Sequence, residues 1–245
     1  MAEKKVALIT GANRGIGFET ARQLGQQGIL VIVAARTLQS AEEASKKLKA
    51  EGIDSLAVKL DVTNAQDRQA VTDFITEKFD KLDILINNAG ISAPGGLFGV
   101  RAVETSEEEL QSLLNTNFFS VIAVTRSLLP LLKKSQAGRI VNLGSILGSL
   151  TEQANPNSQI APLKMLSYNV SKTALNAFTV HLAVELKDTN IKVNTAHPGW
   201  VKTELGTEYA PMEIPEGAKT SVDLALIGPD GPNGRFIHLG QELAW

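Results

Sequence analysis

Val6-Ala7-Leu8-Ile9-Thr10-Gly11-Ala12-Asn13-Arg14-Gly15-Ile16-Gly17 joins a short apolar run to a glycine-rich turn, and residues 16–27 then have helical character up to Gly28. A strand that feeds a glycine turn and then a helix aims backbone N–H groups and a helix dipole at one place, which suits a pyrophosphate. The spacing is G-x-x-x-G-x-G, a departure from the G-x-G-x-x-G usual in dinucleotide sites. A tight turn without any ligand has the same composition. Its position after the first strand of a βαβ unit is what favours a nucleotide.

Outward from this turn the pattern repeats. Residues 29–35 are continuously apolar and β-branched, as in a parallel strand buried on both faces. A helix over 38–51 closed by Gly52, a strand over 55–60, a helix over 65–79 and a strand over 83–86 follow. A Gly- and Pro-rich loop (91–103) precedes a long helical stretch, 106–134, which Pro130 should end or kink. Then come a strand (139–143), a helix (167–187) and a strand (191–196). Residues 197–215, with Pro198, Pro211 and Pro215, read as a mobile loop; 218–226 read as a short helix and 235–239 as a last strand. Such alternation predicts an α/β fold, a parallel sheet with helices on both faces and right-handed crossovers. No repeat or boundary divides the chain, so residues 1–245 are expected to form a single domain.

Composition narrows the function. With 43% hydrophobic residues the chain can bury a sizeable core. Its formal charge of −2, without long runs of one sign, offers nothing to nucleic acid. The absence of cysteine removes disulfides, Cys-ligated zinc and thiol catalysis, and it fits a reducing compartment. His181, His197 and His238 have no zinc-motif spacing and read as structural, so no metal is expected. No apolar run reaches the roughly 18 residues of a membrane span. The chain reads as a soluble, cytoplasmic protein with no membrane partner.

The second strand ends in Ala34-Ala35-Arg36, where an NAD site would carry an acidic residue for the ribose 2′-OH. Arg36 and Arg14 could instead converge on a 2′-phosphate, since a guanidinium pairs phosphate oxygens through its planar fork. The alternative is two solvated surface arginines. NADP(H) is the expected cofactor. Asp61-Val62 closes the third strand, where the carboxylate either accepts from an adenine amino group or simply forms a turn. Asn87-Asn88-Ala89-Gly90 closes the fourth, with Gly90 permitting close approach. Tyr168 and Lys172 are four residues apart, so on a helix they share a face and the ammonium can favour the tyrosinate. A surface Tyr and Lys would have the same spacing.

Taken in order, the glycine loop at 11–17, Asp61, Asn87-Asn88-Ala89-Gly90, Asn117, Ser145, Tyr168 with Lys172, and Pro198-Gly199 resemble the short-chain dehydrogenase/reductase family. The resemblance implies a Rossmann-type doubly wound sheet of about seven strands, ordered 3-2-1-4-5-6-7. It implies cofactor contacts at Gly11, Asn13, Arg14, Gly15, Ile16 and Gly17, then at Arg36, Asp61, Val62, Asn88, Ala89 and Gly90. Ser145, after Asn142-Leu143-Gly144, would hydrogen-bond the substrate carbonyl and the Tyr168 phenol. Tyr168 would give a proton to the carbonyl oxygen while the nicotinamide delivers hydride to carbon. Lys172 would lower the Tyr168 pKa and bond the nicotinamide ribose. Asn117 would hold a water linking Lys172 to solvent. Pro198, Gly199, the backbone near Val201 and the Thr203 hydroxyl would lie against the nicotinamide, although a Pro-Gly turn needs no ligand.

Between Ser145 and Tyr168 the chain is longer than most family members, and 151–163, with Pro156, Pro162 and several Asn and Gln, reads as an added loop rather than a helix. Extensions here, and the ending Gly234-Arg235-Phe236-Ile237 with Trp245, resemble the NADPH-dependent carbonyl reductase branch, including its monomers. A monomer is therefore expected in place of the family's common tetramer. The 92–103 loop, Leu147, the added loop, Trp200 and a lid near 200–215 should wall a mostly apolar pocket for a small hydrophobic aldehyde or ketone. The expected reaction is NADPH-dependent reduction of that carbonyl. A 3-oxoacyl thioester reductase, an alcohol or steroid dehydrogenase, and a non-catalytic dinucleotide-binding redox sensor are the alternatives.

Overall fold

In β1 (Val6–Thr10), Val6 and Leu8 enter one apolar cluster while Ala7 and Ile9 enter another on the opposite side. β2 (Leu30–Ala35) divides the same way, Ile32 and Ala34 against Val31 and Val33. Strands buried on both faces need helices on both. α1 (Gly15–Gln26), α2 (Leu38–Ala50) and α8 (Ile214–Leu226) cover one face through Leu24, Leu48 and Val222; α3 (Ala65–Phe79), α5 (Ser120–Leu132) and α7 (Leu166–Glu185) cover the other through Ile75, Leu128 and Leu182. Each such side chain, fully buried, contributes roughly 1.5–3 kcal/mol. The computed structural model describes residues 4–93 and 101–245. Residues 94–100, expected in the pocket wall, lie outside the described residues.

The remaining strands are β3 (Ser55–Lys59), β4 (Ile84–Asn87), β5 (Arg139–Leu143), β6 (Lys192–Ala196), β7 (Phe236–His238) and β8 (Gln241–Glu242). They form one sheet in the order β3-β2-β1-β4-β5-β6-β7-β8. Every pairing from β3 to β7 is parallel, and β8 alone pairs antiparallel. The order reverses between β1 and β4, so their carboxyl ends open the crevice where ligands of such sheets bind.

The expected strand order holds, with an eighth strand added to the predicted seven or so. Leu239 and Gly240 both have positive φ (45° and 81°), and they turn the chain back for two residues. That matches the primed hairpin turns. A polar Gln-Glu pair gives no strand signal in sequence.

Other boundaries also differ. The long helix is interrupted by a π turn at Asn115–Phe119, between α4 (Glu107–Leu114) and α5, while Pro130 lies inside α5 without ending it. α8 starts earlier than expected, because Pro215 sits in its first turn and Glu213 with Glu216 forms a capping box. The added segment is not wholly loop. Ser149 caps α6 (Leu150–Ala154) by accepting from the Glu152 N–H at 3.1 Å.

Candidate active site

Gly11 and Gly15 adopt left-handed φ of 64° and 56°. A Cβ on Gly17 would lie 2.4 Å from Asn88 Nδ2 and 2.6 Å from the Gly11 carbonyl oxygen, so only glycine lets α1 start this close to the turn. Arg14, at the N-cap of α1, makes no side-chain cap, and the first turn carries no acid. The helix start thus lacks a side-chain acceptor, and such a cradle suits a dinucleotide pyrophosphate. Asn13 and Ile16 are half-buried in this turn.

Asn88 serves the turn itself. Its Nδ2 donates to the carbonyls of Thr10 (2.7 Å) and Gly11 (3.1 Å), and the Asn88 and Ala89 N–H groups both donate to Thr10 Oγ1 at 3.0 Å. Arg36 is exposed just beyond β2, as is Arg14, whose guanidinium pairs with Glu204 at 2.5 Å. Asp61 Oδ1 accepts from the Thr63 N–H (2.9 Å) and hydroxyl (2.7 Å). These bonds, with smaller help from Arg36 and Lys59, hold the Asp61 carboxyl below the usual range. Val62 is buried and its carbonyl accepts from Arg68.

Ser145, Tyr168 and Lys172 come together beyond the carboxyl end of β5, all buried. The Tyr168 hydroxyl meets the Ser145 side chain. Burial pushes the Tyr168 phenol up to about 12, against a smaller downward effect of Ser145. Lys172 Nζ donates to the Leu143 carbonyl at 2.8 Å and lies 5.7 Å from the centre of the Tyr168 ring. Burial lowers the Lys172 ammonium to about 8. Desolvation of the phenolate is the largest influence on Tyr168 in this structure, and the Lys172 ammonium lies over its ring face.

Asn117 lies in the π turn. Its Oδ1 accepts from the Ile91 N–H (2.9 Å), while its Nδ2 donates to the Ile91 carbonyl (2.9 Å) and to Ser171 Oγ (3.0 Å). A Cβ on Gly90 would stand 3.2 Å from Asn117 Oδ1 and 3.8 Å from Lys172 Nζ, so these groups converge over that glycine. Ser171, whose hydroxyl donates to the Tyr168 carbonyl at 2.8 Å, is a site residue that the sequence reading missed. Its place on the turn of helix between Tyr168 and Lys172 is the signal that could have found it.

Pro198 is half-buried, and Gly199 has a φ of 86°. Val201 turns its side chain onto Gly217 and bridges Met212. Thr203 Oγ1 accepts from the Gly206 N–H (3.0 Å) and donates to the Val201 carbonyl (3.3 Å). Across the site, Tyr168 packs in one apolar cluster with Ala93, Leu113, Leu147 and Met165, joined by Ile91, Ile160 and Leu163. Leu113 had no distinguishing mark in the sequence, being one apolar position on an ordinary amphipathic helix.

Residues 5–214 match the family model described as short chain dehydrogenase. The mouse (Mus musculus) carbonyl reductase 1, named as an NADPH enzyme, is 31% identical over 290 residues, covering 100% of this chain and 99% of that protein. Carbonyl reductase Sniffer of D. melanogaster superposes with a TM-score of 0.85 at 30% identity, over 99% of this chain and 100% of its own. An NADPH-bound carbonyl reductase from chicken fatty liver gives 0.84 at 25% identity, over 99% and 100%.

Proposed function

The chain belongs to the short-chain dehydrogenase family, and from that premise we propose that it reduces an aldehyde or ketone to the alcohol with NADPH, Tyr168 giving the proton. The observation that carries this reading is the buried meeting of Ser145, Tyr168 and Lys172 beside a glycine cradle with an uncapped helix start. When bound, NADPH supplies the hydride for the carbonyl carbon. Arg14 and Arg36 would hold its 2′-phosphate, and the α1 start would hold its pyrophosphate. The carbonyl oxygen accepts from Ser145 and from Tyr168, whose phenol at about 12 is protonated throughout the neutral range. As negative charge grows on that oxygen, the Tyr168 proton crosses to it, because an alkoxide is the stronger base. The tyrosinate left behind keeps the Ser145 hydrogen bond and has the Lys172 cation one helical turn away.

The apolar surroundings of Tyr168 support a small hydrophobic substrate. The extra segment before Tyr168 supports a monomer in place of a tetramer, and the cysteine-free composition supports a cytoplasmic setting. Among the described residues no helix is long and apolar enough to cross a membrane.

The test is NADPH oxidation over aromatic aldehydes, α-keto esters, quinones and cyclic ketones, repeated with NADH and with Tyr168→Phe. Tyr168→Phe should lower kcat by about 10²–10⁴-fold with NADPH affinity near wild type. Activity in the variant within a few-fold of wild type would overturn the proton donor.

A further inference from the structure

His197 stands between β6 and Pro198, and its ring touches both loops that the proposed reaction uses. Its Nδ1 accepts from the N–H of Ile146, the residue after Ser145, at 3.3 Å, and from the N–H of Gly199 at 3.4 Å. Both distances are at the long end, as expected when two donors share one lone pair. An acceptor at Nδ1 puts the ring proton of the neutral imidazole on Nε2.

The ring itself is held from behind. His238 packs against it at 4.8 Å between centroids and Phe236 at 6.3 Å. His238 Nδ1 lies 2.9 Å from the His197 carbonyl, which can only accept, so His238 carries its proton there. Burial, with a smaller contribution from His238, lowers the His197 pKa to about 3, which keeps the Nδ1 lone pair available at any working pH. On its far side the Gly199 turn is packed too, since a Cβ there would meet Met212 Sδ at 2.1 Å and His238 Cε1 at 3.1 Å.

We infer that His197 is a positioning residue, its Nδ1 tying the Ser145 loop to the Pro198-Gly199 turn so that the carbonyl-binding hydroxyl and the nicotinamide-facing backbone keep a fixed separation. The inference rests on the roles proposed above for those two loops. A misplacement of about 1 Å between reacting groups costs on the order of 10²-fold in rate. A neutral acceptor shared by the two loops is a direct means of preventing it.

The experiment compares His197→Leu, His197→Gln and His197→Asn with wild type and Tyr168→Phe. It measures thermal unfolding, NADPH affinity, kcat per folded molecule, and the primary isotope effect with NADPH deuterated at the transferred position. Asn can place an amide oxygen where Nδ1 stood; Gln carries its amide one methylene further, and Leu has no acceptor. His197→Leu and His197→Gln should lose about 10- to 100-fold in kcat, with an enlarged isotope effect. His197→Asn should recover most of that loss. Wild-type kcat in the Gln variant, or an Asn variant no better than Gln, would overturn the inference even if the Leu variant fails to fold. An active Tyr168→Phe would instead sink the reading of the site, so the two failures are separable.

Discussion

Two segments, one just before Tyr168 and one after β6, differ in where their apolar side chains go. The one before Tyr168, 149–165, is stitched internally. Ser158 donates to the Glu152 carboxylate at 2.7 Å, Lys164 donates to the backbone and side-chain oxygens of Gln153, and the Asn169 amide holds the Leu163 carbonyl. The Thr151 N–H reaches the Trp245 carbonyl, and the Trp245 ring stacks on Phe236. Met165 shares an apolar cluster with Tyr168, and Ile160 and Leu163 pack against that cluster. The segment after β6 leaves Trp200, Leu205 and Tyr209 exposed, although Val201 and Ala210 are buried, the Trp200 indole donates to the Gly206 carbonyl and Lys202 pairs with Glu213. It meets the glycine turn through the exposed Arg14–Glu204 pair. Composition alone makes both look like loops. Local opening is cheapest where few apolar contacts are buried, so the segment after β6, with more of its large apolar side chains exposed, is expected to open before the one that packs on the Tyr168 cluster.

That contrast is open to attack, and Met165→Ala should have the largest effect. Truncating a buried methionine costs about 2–5 kcal/mol, so thermal unfolding should fall sharply and KM should rise for hydrophobic carbonyls. A wall that tolerates the change would erase the distinction.

The same variant tests how the wall controls charge. Lys172 is lowered by burial to about 8 from the usual 10.5, so above about pH 8 the free enzyme loses its ammonium and kcat/KM for NADPH should decline. In Met165→Ala water enters, and that alkaline limb should move to higher pH. In wild type, the unfolded chain binds more protons than the native one between those two values. The Lys172 contribution to stability therefore rises with pH across that window, a trend readable by denaturant titration.

Glu204→Gln should act more gently. Releasing Arg14 for the cofactor should tighten NADPH by about 2- to 5-fold at low salt and much less at high salt, the scale of an exposed pair. Tyr209→Ala should be smallest, within about 0.5 kcal/mol in stability, with the Lys172 limb unmoved. A loss as large as that of Met165→Ala would make the two segments equivalent.

The strand–glycine–helix opening and the alternation of buried strands with helices were legible because each depends on local spacing, whereas the strand order and the grouping of Ser145 with Tyr168 and Lys172 were expected only from the resemblance to the family. What escaped depends on partners distant in the chain. Nothing near Asn117 announces that its amide will clasp Ile91 and Ser171, and nothing near Arg14 announces Glu204. The upward push of burial on the Tyr168 phenol escaped for the same reason. Helical spacing gives the distance along the chain to Lys172, but not the desolvation imposed by Leu113, Leu147 and Met165. Pro215 misled in another way, being taken as loop punctuation where it opens α8.

The Leu239–Gly240 turn also governs how the sheet meets its surroundings. An uncovered strand edge is a template on which another chain can pair, the first step toward fibrous association. Here the three residues of β7 are shielded by a strand of only two, both exposed, and Glu242 is held in an ion pair with Arg235 at 3.2 Å. A neighbouring copy approaching this side would find too little backbone to zip onto and a carboxylate in its path. One tight turn thus gives a sheet with an otherwise open end its protection against self-adhesion.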